Sequence, residues 1–270
     1  MSLHQSLCWN ILFLQWSNPT MFELVQKHTI KIFSYSMIYL IITASIKNKI
    51  GSRNAEHRKN RYIDSITQVL SLIQTESYIK PTDSHSSGSM TDKGLHPNPE
   101  GADLNFQRFK PIIVENNGLR ETYLDGFSCD VVYTNNNRFN FRHKGVNELL
   151  DIKEVINKYN IHDDDVIIKL TGRYKVLDAS FIELVKNNSD IYDAFVKFFN
   201  VFTKEYMFDD CVLGLFAIKC KYLKNFEYKC IKSAECEFAD HVRQHVNKIM
   251  EITDLKLDCC FAEGLRMLTV

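Results

Sequence analysis

The chain has 270 residues, enough for one large domain or two small ones, and a fold of this length buries a substantial core without disulfides or metals. Hydrophobic residues make up 45% and charged residues 24% of the sequence, and the 10 Gly and 5 Pro exclude collagen-like and low-complexity classes. The 33 Lys and Arg balance the 33 Asp and Glu, so the net charge is zero. This balance argues against a polybasic nucleic-acid-binding protein, and no nucleic-acid partner is expected.

The eight cysteines show no Cys-x-x-Cys spacing, and the adjacent Cys259 and Cys260 suit neither a zinc knuckle nor an easily formed disulfide. Most of them lie in apolar segments, where a free cysteine behaves as a small core residue. We therefore expect buried thiols in a reducing compartment, with a cytoplasmic location.

The first 36 residues are apolar and aromatic but lack the basic start and the cleavage site of a secretory signal. The run 32–46 is the one membrane candidate, and its 15 residues fall short of the ~20 that span a bilayer. A buried strand is the preferred interpretation, and membrane association is not expected. Residues 1–36 are thus predicted to be an extension outside the folded core.

Residues 82–110 contain scattered Gly, Pro, Ser and Asp without any periodicity. Similar strings flank this segment, YIKP at 78–81 and RFKP at 108–111. Because structureless loops of this length are uncommon inside compact domains, we predict a disordered insertion at 82–110 within one domain that spans 37–270.

Outside these two segments, hydrophobic patterns of strand and helix type alternate along the chain. The predicted elements are strand 37–45, helix 54–75, strands 111–115 and 129–133, helix 145–158, strand 165–170, helix 179–186, strands 192–200 and 212–218, helix 234–251 and strand 256–261. Strands that alternate with helices and are apolar on both faces indicate a three-layer α/β/α domain with a mainly parallel sheet.

Polar residues follow four successive predicted strands, and ligands of open α/β sheets bind at this carboxyl edge. Asparagine suits base and hydroxyl groups, whereas Lys and Arg suit a diphosphate. The predicted substrate-binding set is Thr43, Ser45, Arg53, Arg61, Glu115, Asn116, Asn117, Asn135, Asn136, Asn137, Lys144, Gly145, Lys169, Thr171, Gly172, Arg173 and Tyr174. The alternative is that Asn and Gly merely build the turns of these loops.

The run Asp163-Asp164-Asp165 resembles a metal-binding Asp-x-Asp pair, but it precedes its strand and is predicted to form an exposed turn at the opposite edge. Asp209 and Asp210 precede strand 212–218, whose direction the sequence leaves open. No metal site is predicted.

The strings IIVENNG, DVVYTNNN and DDDVIIKLTGRYKVLD resemble the GT-A-type glycosyltransferases, or nucleotide-diphospho-sugar transferases, of large DNA viruses and some microbes. The similarity covers about residues 37–261 without the insertion. It implies a GT-A-like fold that binds a nucleotide-sugar donor and transfers the sugar to a glycan, protein or lipid acceptor, in the host cytoplasm for a viral protein. The segment KLTGRY at 169–174 stands where that family carries its metal-binding Asp-x-Asp, so a requirement for Mn²⁺ or Mg²⁺ stays open.

Sugar transfer with inversion needs a base beside the acceptor hydroxyl. The candidates are Glu235, Glu237 and Asp240 at the start of the last long helix, where acidic residues also stabilise a helix N-terminus. A degenerate α/β protein that binds nucleotide or glycan without catalysis is the second hypothesis. A nucleotidyl- or phosphoryl-transfer enzyme ranks third because the chain lacks a Gly-x-x-x-x-Gly-Lys loop.

Overall fold

The computed structural model describes residues 36–47, 54–76, 109–118, 120–141, 143–261 and 266–270. The strands are β1 Ile38–Ala44, β2 Phe109–Glu115, β3 Asp130–Tyr133, β4 Val166–Thr171, β5 Lys175–Val176, β6 Ala194–Val196, β7 Leu215–Lys219, β8 Ile249–Glu251, β9 Leu257–Cys260 and β10 Met267–Thr269. The helices are α1 Ala55–Glu76, α2 Lys144–Tyr159, α3 Ser180–Asn188, α4 Cys220–Lys224 and α5 Ala234–His245.

The central sheet has the strand order β3-β2-β1-β4-β7-β6-β8 in the described part of the chain. The strands β3, β2, β1 and β4 are parallel neighbours, β7 is antiparallel to both β4 and β6, and β8 is parallel to β6. A second, small antiparallel sheet has the order β10-β9-β5. The sheet is therefore mainly parallel with one reversed strand, β7, between its two halves.

Each face of the central sheet carries its own core, because the side chains of a strand alternate between the faces. Leu40 and Ile42 of β1 pack on one face together with α1, α3 and the small sheet. Tyr39 and Ile41 pack on the other face with α2, α4 and α5. This arrangement confirms the predicted single three-layer α/β fold with a mainly parallel sheet.

The last long helix is shorter than its apolar pattern predicts. The predicted helix 234–251 is wrong beyond His245, where Val246 turns to extended backbone and β8 begins three residues later. The reason is tertiary, since residues 249–251 pair with β6 as an edge strand. Strands β5 and β10 and helix α4 were not predicted, because two to five residues carry no measurable period.

The described residues also bear on the two unusual segments. Strand β2 begins at Phe109, two residues inside the predicted insertion, because Phe109 and Lys110 pair with Ile38 and Tyr39 of β1. The rest of segment 82–110 and residues 1–35 lie outside the described residues. Within the described chain, no helix has both the length and the apolar character to cross a membrane.

Candidate functional site

The carboxyl ends of β1, β2, β3 and β4 meet at one edge of the central sheet because these strands are parallel. Strand β7 runs the other way, and its first residue, Leu215, pairs with Leu170 near the end of β4. The segment before β7, which includes Asp209 and Asp210, therefore approaches the same edge. This direction could not be derived from the sequence.

The first half of this edge, after β1 and β2, is filled by hydrogen bonds within the protein. The buried carboxylate of Glu115 accepts from the backbone N–H groups of Ile46 and Asn117, each at 3.0 Å, and from the Asn117 side chain. Asn137 in turn donates to Asn117 Oδ1 at 2.7 Å and to the Lys47 carbonyl at 3.2 Å. Three of the predicted binding residues thus hold one another in place.

The loop after β1 is fixed in the same way. Arg58 is buried and donates through Nε and Nη2 to the Ser45 carbonyl at 3.0 and 2.8 Å. The Tyr62 hydroxyl accepts from the Ser45 N–H at 3.0 Å, and Thr43 donates to the Leu170 carbonyl at 3.5 Å. Thr43 and Ser45 are therefore engaged in contacts within the protein, while Arg53 lies outside the described residues.

A buried carboxylate from helix α2 organises the loops after β2 and β3. Asp151 Oδ1 accepts from the Thr134 hydroxyl at 2.7 Å and from Asn136 Nδ2 at 2.8 Å, and Oδ2 accepts from Asn116 Nδ2 at 2.9 Å. Asn135 remains exposed beside these residues, next to Gly118 with its φ of +71°. The side-chain amide nitrogens of Asn116 and Asn136 are committed to Asp151.

Burial raises the pKa of Asp151 to about 7, and the hydrogen bonds from Thr134, Asn136 and Asn116 offset only part of this effect. Oδ1 of Asn116 is buried without a hydrogen-bond partner among the described residues. Burial therefore favours the neutral form of the Asp151 carboxyl.

We expect Asp151→Asn to abolish most of the pH dependence of stability between about pH 4 and pH 7. Asp151 ionises near 3.8 in the unfolded chain and near 7 in the folded chain, so its own contribution to stability is greatest below about pH 4 and falls as the pH rises to about 7. The loss is on the order of a few kcal/mol. Urea unfolding across this pH range measures it.

Asp64 of helix α1 is exposed, so the variant Asp64→Asn serves as the control that removes one carboxylate without changing a buried group. A wild-type profile that is flat from pH 4 to pH 7, or an equal slope in Asp151→Asn, would show that Asp151 is ionised throughout.

The second half of the edge opens into a cavity of about 300 Å³ at the end of β4. The predicted residues Lys144, Gly145, Lys169, Thr171, Arg173, Tyr174 and Glu235 line it together with His143, Glu148 and the segment 211–214. Because this volume suits part of a small-molecule ligand, and because the cavity lies at the carboxyl edge, it is the candidate site.

All three hydrogen-bond donors of the Lys169 ammonium have acceptors within the protein. Nζ lies 2.5 Å from Glu148 Oε2 and donates to Thr171 Oγ1 and to the Leu213 carbonyl, both at 2.7 Å. An ammonium group has three donors, and each has an acceptor here. Lys169 therefore ties helix α2 and the segment before β7 to β4, and it has no donor left for a diphosphate.

Arg173 keeps part of its guanidinium uncommitted. Nε donates to the Cys260 carbonyl at 3.3 Å and Nη1 to the Tyr62 hydroxyl at 3.5 Å, while Nη2 donates to none of the described residues. Arg61 holds the turn after β4, because its Nε donates to the Arg173 carbonyl at 3.0 Å. Arg173 is thus the best-placed cation for an anionic ligand, whereas Arg61 has a positioning role.

Two close approaches explain the glycines beside this turn. A Cβ on Gly172 would lie 2.9 Å from the Tyr62 ring and 3.0 Å from the Thr43 carbonyl oxygen. A Cβ on Gly214 would lie 2.2 Å from the Tyr174 ring. Tyr174 therefore packs on bare backbone in the wall of the cavity, where its ring also meets Phe261 edge-on.

The N-termini of α2 and α5 both reach the cavity. A Cβ on Gly145 would lie 2.7 Å from the Ala234 Cβ, so only glycine permits this approach of the two helix starts. No side chain caps α2 at His143, and His143 Nε2 is buried without a hydrogen-bond partner among the described residues. Helix N-termini carry partial positive charge, which favours an anion in the cavity beside them, although at α5 the Ser233 hydroxyl already accepts from the Cys236 N–H at 3.1 Å.

The three predicted carboxylates at the start of α5 separate in the structure. Glu235 faces the cavity, and none of the described residues forms a hydrogen bond or an ion pair with its carboxylate. Glu237 instead accepts four backbone N–H groups of residues 229–232 at 2.5–3.1 Å, and these bonds lower its pKa despite the opposing effect of burial. Asp240 pairs with Lys232 at 2.8 Å.

Glu237 and Asp240 line a different cavity, of about 410 Å³, on the other side of α5. This cavity is larger, but it does not lie at the carboxyl ends of the parallel strands. Of the three candidates, only Glu235 is positioned to act as a base in the candidate site.

No group of three His, Cys, Asp or Glu side chains converges to hold a metal ion within the described residues. Asp163 and Asp164 form exposed ion pairs with Lys224 and Lys221, and Asp165 accepts from the N–H groups of Met37 and His162. These aspartates lie at the amino edge of β4, away from the cavity; Asp163 and Asp164 are exposed as predicted, whereas Asp165 is buried because its carboxylate accepts both backbone N–H groups.

Sequence reasoning missed several residues that shape this edge. Glu148 and Asp151 lie within the predicted helix 145–158, where carboxylates on a helix otherwise indicate a solvated face. Their spacing of three residues places both on the side of α2 that faces the sheet edge. A polar residue amid the apolar positions of α2 was the available signal.

Neither a protein-family model nor a curated protein sequence matches the chain. Among solved structures, it is similar to a protein classed as a nucleotide-diphospho-sugar transferase from Desulfovibrio desulfuricans G20, with a TM-score of 0.44, 8% identity, and coverage of 81% of this chain and 80% of that one. The galactosyltransferase LgtC, solved with donor and acceptor sugar analogues, gives a TM-score of 0.42 and 8% identity over 79% and 72% of the two chains. The bifunctional IspDF from Campylobacter jejuni gives a TM-score of 0.44 and 11% identity, with coverage of 87% of this chain and 52% of that one.

Proposed function

We propose that the protein transfers a sugar from a nucleotide-sugar donor, whose diphosphate binds in the cavity at the end of β4. The observation that carries this proposal is that Arg173, two helix N-termini and the carboxylate of Glu235, which is unpaired among the described residues, surround one cavity. An anion site and a base side by side are what displacement of a nucleoside diphosphate by a hydroxyl requires.

The reaction has one bond-forming and one bond-breaking step. The acceptor oxygen forms a bond to the anomeric carbon, the bond from that carbon to the diphosphate oxygen breaks, and the nucleoside diphosphate leaves. Glu235 takes the proton of the acceptor hydroxyl. Arg173 and the N-termini of α2 and α5 stabilise the charge that develops on the diphosphate.

Metal ions do not enter this proposal. The Asp-x-Asp of the similar family would stand near Lys169 and Thr171, where the Lys169 ammonium donates to the Thr171 hydroxyl at 2.7 Å and repels a divalent cation. The described residues at this position therefore do not fit the Mn²⁺ or Mg²⁺ that the resemblance leaves open.

A non-catalytic binding protein is the second candidate function. It is favoured by the internal saturation of Lys169 and of the asparagines around Glu115 and Asp151, which leaves fewer groups for a donor. Such a protein would bind a nucleotide or a glycan without releasing nucleoside diphosphate. A coupled assay for that product separates the two functions.

A cytoplasmic location stays a prediction.

Isothermal titration of the full chain with a panel of nucleotide sugars and free nucleoside diphosphates tests the site. We expect at least one of them to bind, and Arg173→Met to weaken this binding by about tenfold or more because a charge-assisted hydrogen bond is lost. Lys158→Met, at the opposite end of α2, removes an exposed cation as the control.

Equal binding by Arg173→Met and wild type would place the ligand elsewhere. Thermal unfolding of each variant checks that the fold is kept, and Lys144→Met probes the same cavity without touching the Tyr62 and Cys260 contacts of Arg173. Absence of binding by the folded wild-type chain, with or without Mn²⁺, would reject the function.

A further inference from the structure

The segment that joins β6 to β7 displays three aromatic rings to solvent. In this aromatic loop, residues 198–211, Phe202 is 78% exposed, and Tyr206 and Phe208 are each 61% exposed. Large apolar side chains grouped on a surface mark binding sites in soluble proteins, whereas single ones are unremarkable. The three rings lie within seven residues of one loop.

The loop is held in shape by its own polar groups. Asn200 Oδ1 accepts from the N–H groups of Phe202 and Thr203 at 2.9 and 2.8 Å, and its Nδ2 donates to Asp210 Oδ2 at 2.7 Å. Backbone bridges join Phe198 to Cys211 and Asn200 to Glu205. The rings are therefore displayed on a preorganised loop, so little conformational entropy is lost when a ligand binds.

Two arginines, Arg243 and Arg266, contact the rings of the aromatic loop. The Arg243 guanidinium lies 3.6 Å from the Phe198 ring centroid and 4.3 Å from that of Phe208, and it donates to the Tyr206 hydroxyl at 3.2 Å. The Arg266 guanidinium lies 4.7 Å from the Phe261 centroid and 5.8 Å from that of Phe202. These cation–π contacts set the ring positions without covering Phe202.

The aromatic loop continues into the candidate site. Val201 and Cys211, from its two ends, line the cavity at the end of β4, as does Phe261. A molecule seated on the rings would therefore reach the cavity that also contains Glu235. The rings therefore border the cavity in which the proposed reaction would take place.

The charge of the loop selects among acceptors. Three cations, Lys204, Arg243 and Arg266, balance the carboxylates of Glu205, Asp209 and Asp210, so this surface has no net charge to attract an anionic bilayer or a nucleic acid. We infer that the aromatic loop binds a neutral carbohydrate chain as acceptor, with the apolar faces of its sugar rings stacked on Phe202 and Phe208. This inference rests on the proposed function for the role of acceptor, but the binding itself does not.

Binding of the full-length chain to an array of neutral oligosaccharides tests the inference, with Phe202→Ser as the variant and Ile191→Ser as the control. Ile191 is 54% exposed and lines neither cavity, so its replacement removes a comparable exposed side chain elsewhere. We expect at least one glycan to bind, with about tenfold weaker binding by Phe202→Ser and unchanged binding by Ile191→Ser.

Absence of glycan binding by the wild type, or equal binding by Phe202→Ser, overturns the inference. Flotation with phosphatidylcholine vesicles, with and without phosphatidylserine, provides a second arm, and Phe202-dependent flotation would overturn it in favour of a lipid surface. Nucleotide-sugar titration of Phe202→Ser separates the two proposals, because donor binding should match the wild type even where glycan binding is lost.

Discussion

Replacement of Glu235 by glutamine should lower the rate of sugar transfer by about 10²- to 10⁴-fold while donor binding stays within a few-fold of the wild type. Glutamine keeps the size and hydrogen-bonding capacity of the side chain but cannot take the proton of the acceptor hydroxyl, and a positioned base contributes about that factor. Because Glu235 is α5's second residue and does not cap it, the exchange should leave the helix intact.

The measurement is release of nucleoside diphosphate under saturating donor, together with titration of the donor by calorimetry. Asp240→Asn is the informative comparison, since Asp240 lies on the same helix but lines the other cavity. We expect it to transfer sugar at the wild-type rate. Full activity in Glu235→Gln would remove this residue from the mechanism, and a selective loss in Asp240→Asn would move the site to the other side of α5.

The fold could be predicted because the strands of the central sheet are long runs of apolar residues. Ile38–Ala44 and Val166–Thr171 are buried on both faces, as parallel strands between two helical layers must be. The helices α1 and α2 carry apolar residues at helical spacing and lie within one or two residues of their predicted bounds. The short edge strand β8 was not predicted, because it forms by pairing with β6, whose residues lie more than fifty positions away in the sequence.

The site could be predicted only as a region. The parallel strand order brings the loops after β1, β2, β3 and β4 to one edge, as the sequence analysis expected. Which side chains remain available there depends on long-range partners. Asn116 and Asn136 are engaged by Asp151 of α2, and Lys169 is engaged by Glu148 of the same helix. A local pattern of asparagines cannot reveal a carboxylate fifteen to thirty-five residues away.

The position of Glu235 shows the same limit at a finer scale. Glu235, Glu237 and Asp240 look equivalent in the sequence, since all three lie in the first two turns of α5. The orientation of α5 about its axis places Glu235 in the wall of the candidate cavity. It directs Glu237 towards the N–H groups of residues 229–232. Packing on the core therefore decides which carboxylate is free to react.

Replacement of Lys169 by methionine should lower the free energy of unfolding by about 3 kcal/mol. The lysine side chain is 3% exposed, and the exchange leaves Glu148, the Thr171 hydroxyl and the Leu213 carbonyl without their common donor. Removal of one member of a buried ion pair costs about 3–5 kcal/mol, and the low end applies because Glu148 is 26% exposed and can be hydrated from the cavity. Urea unfolding at neutral pH measures the change.

Two further variants separate charge from packing. Lys221→Met removes a lysine from the exposed pair with Asp164 and should cost below about 1 kcal/mol. The double variant Lys169→Met/Glu148→Leu no longer leaves a carboxylate unpaired, so it should recover most of the stability that the single variant loses. Equal losses in the single and double variants would mean that the amino group acts mainly through Thr171 and Leu213. In that case Lys169 would hold the segment before β7 against β4, and the ion pair with α2 would contribute little to the shape of the cavity.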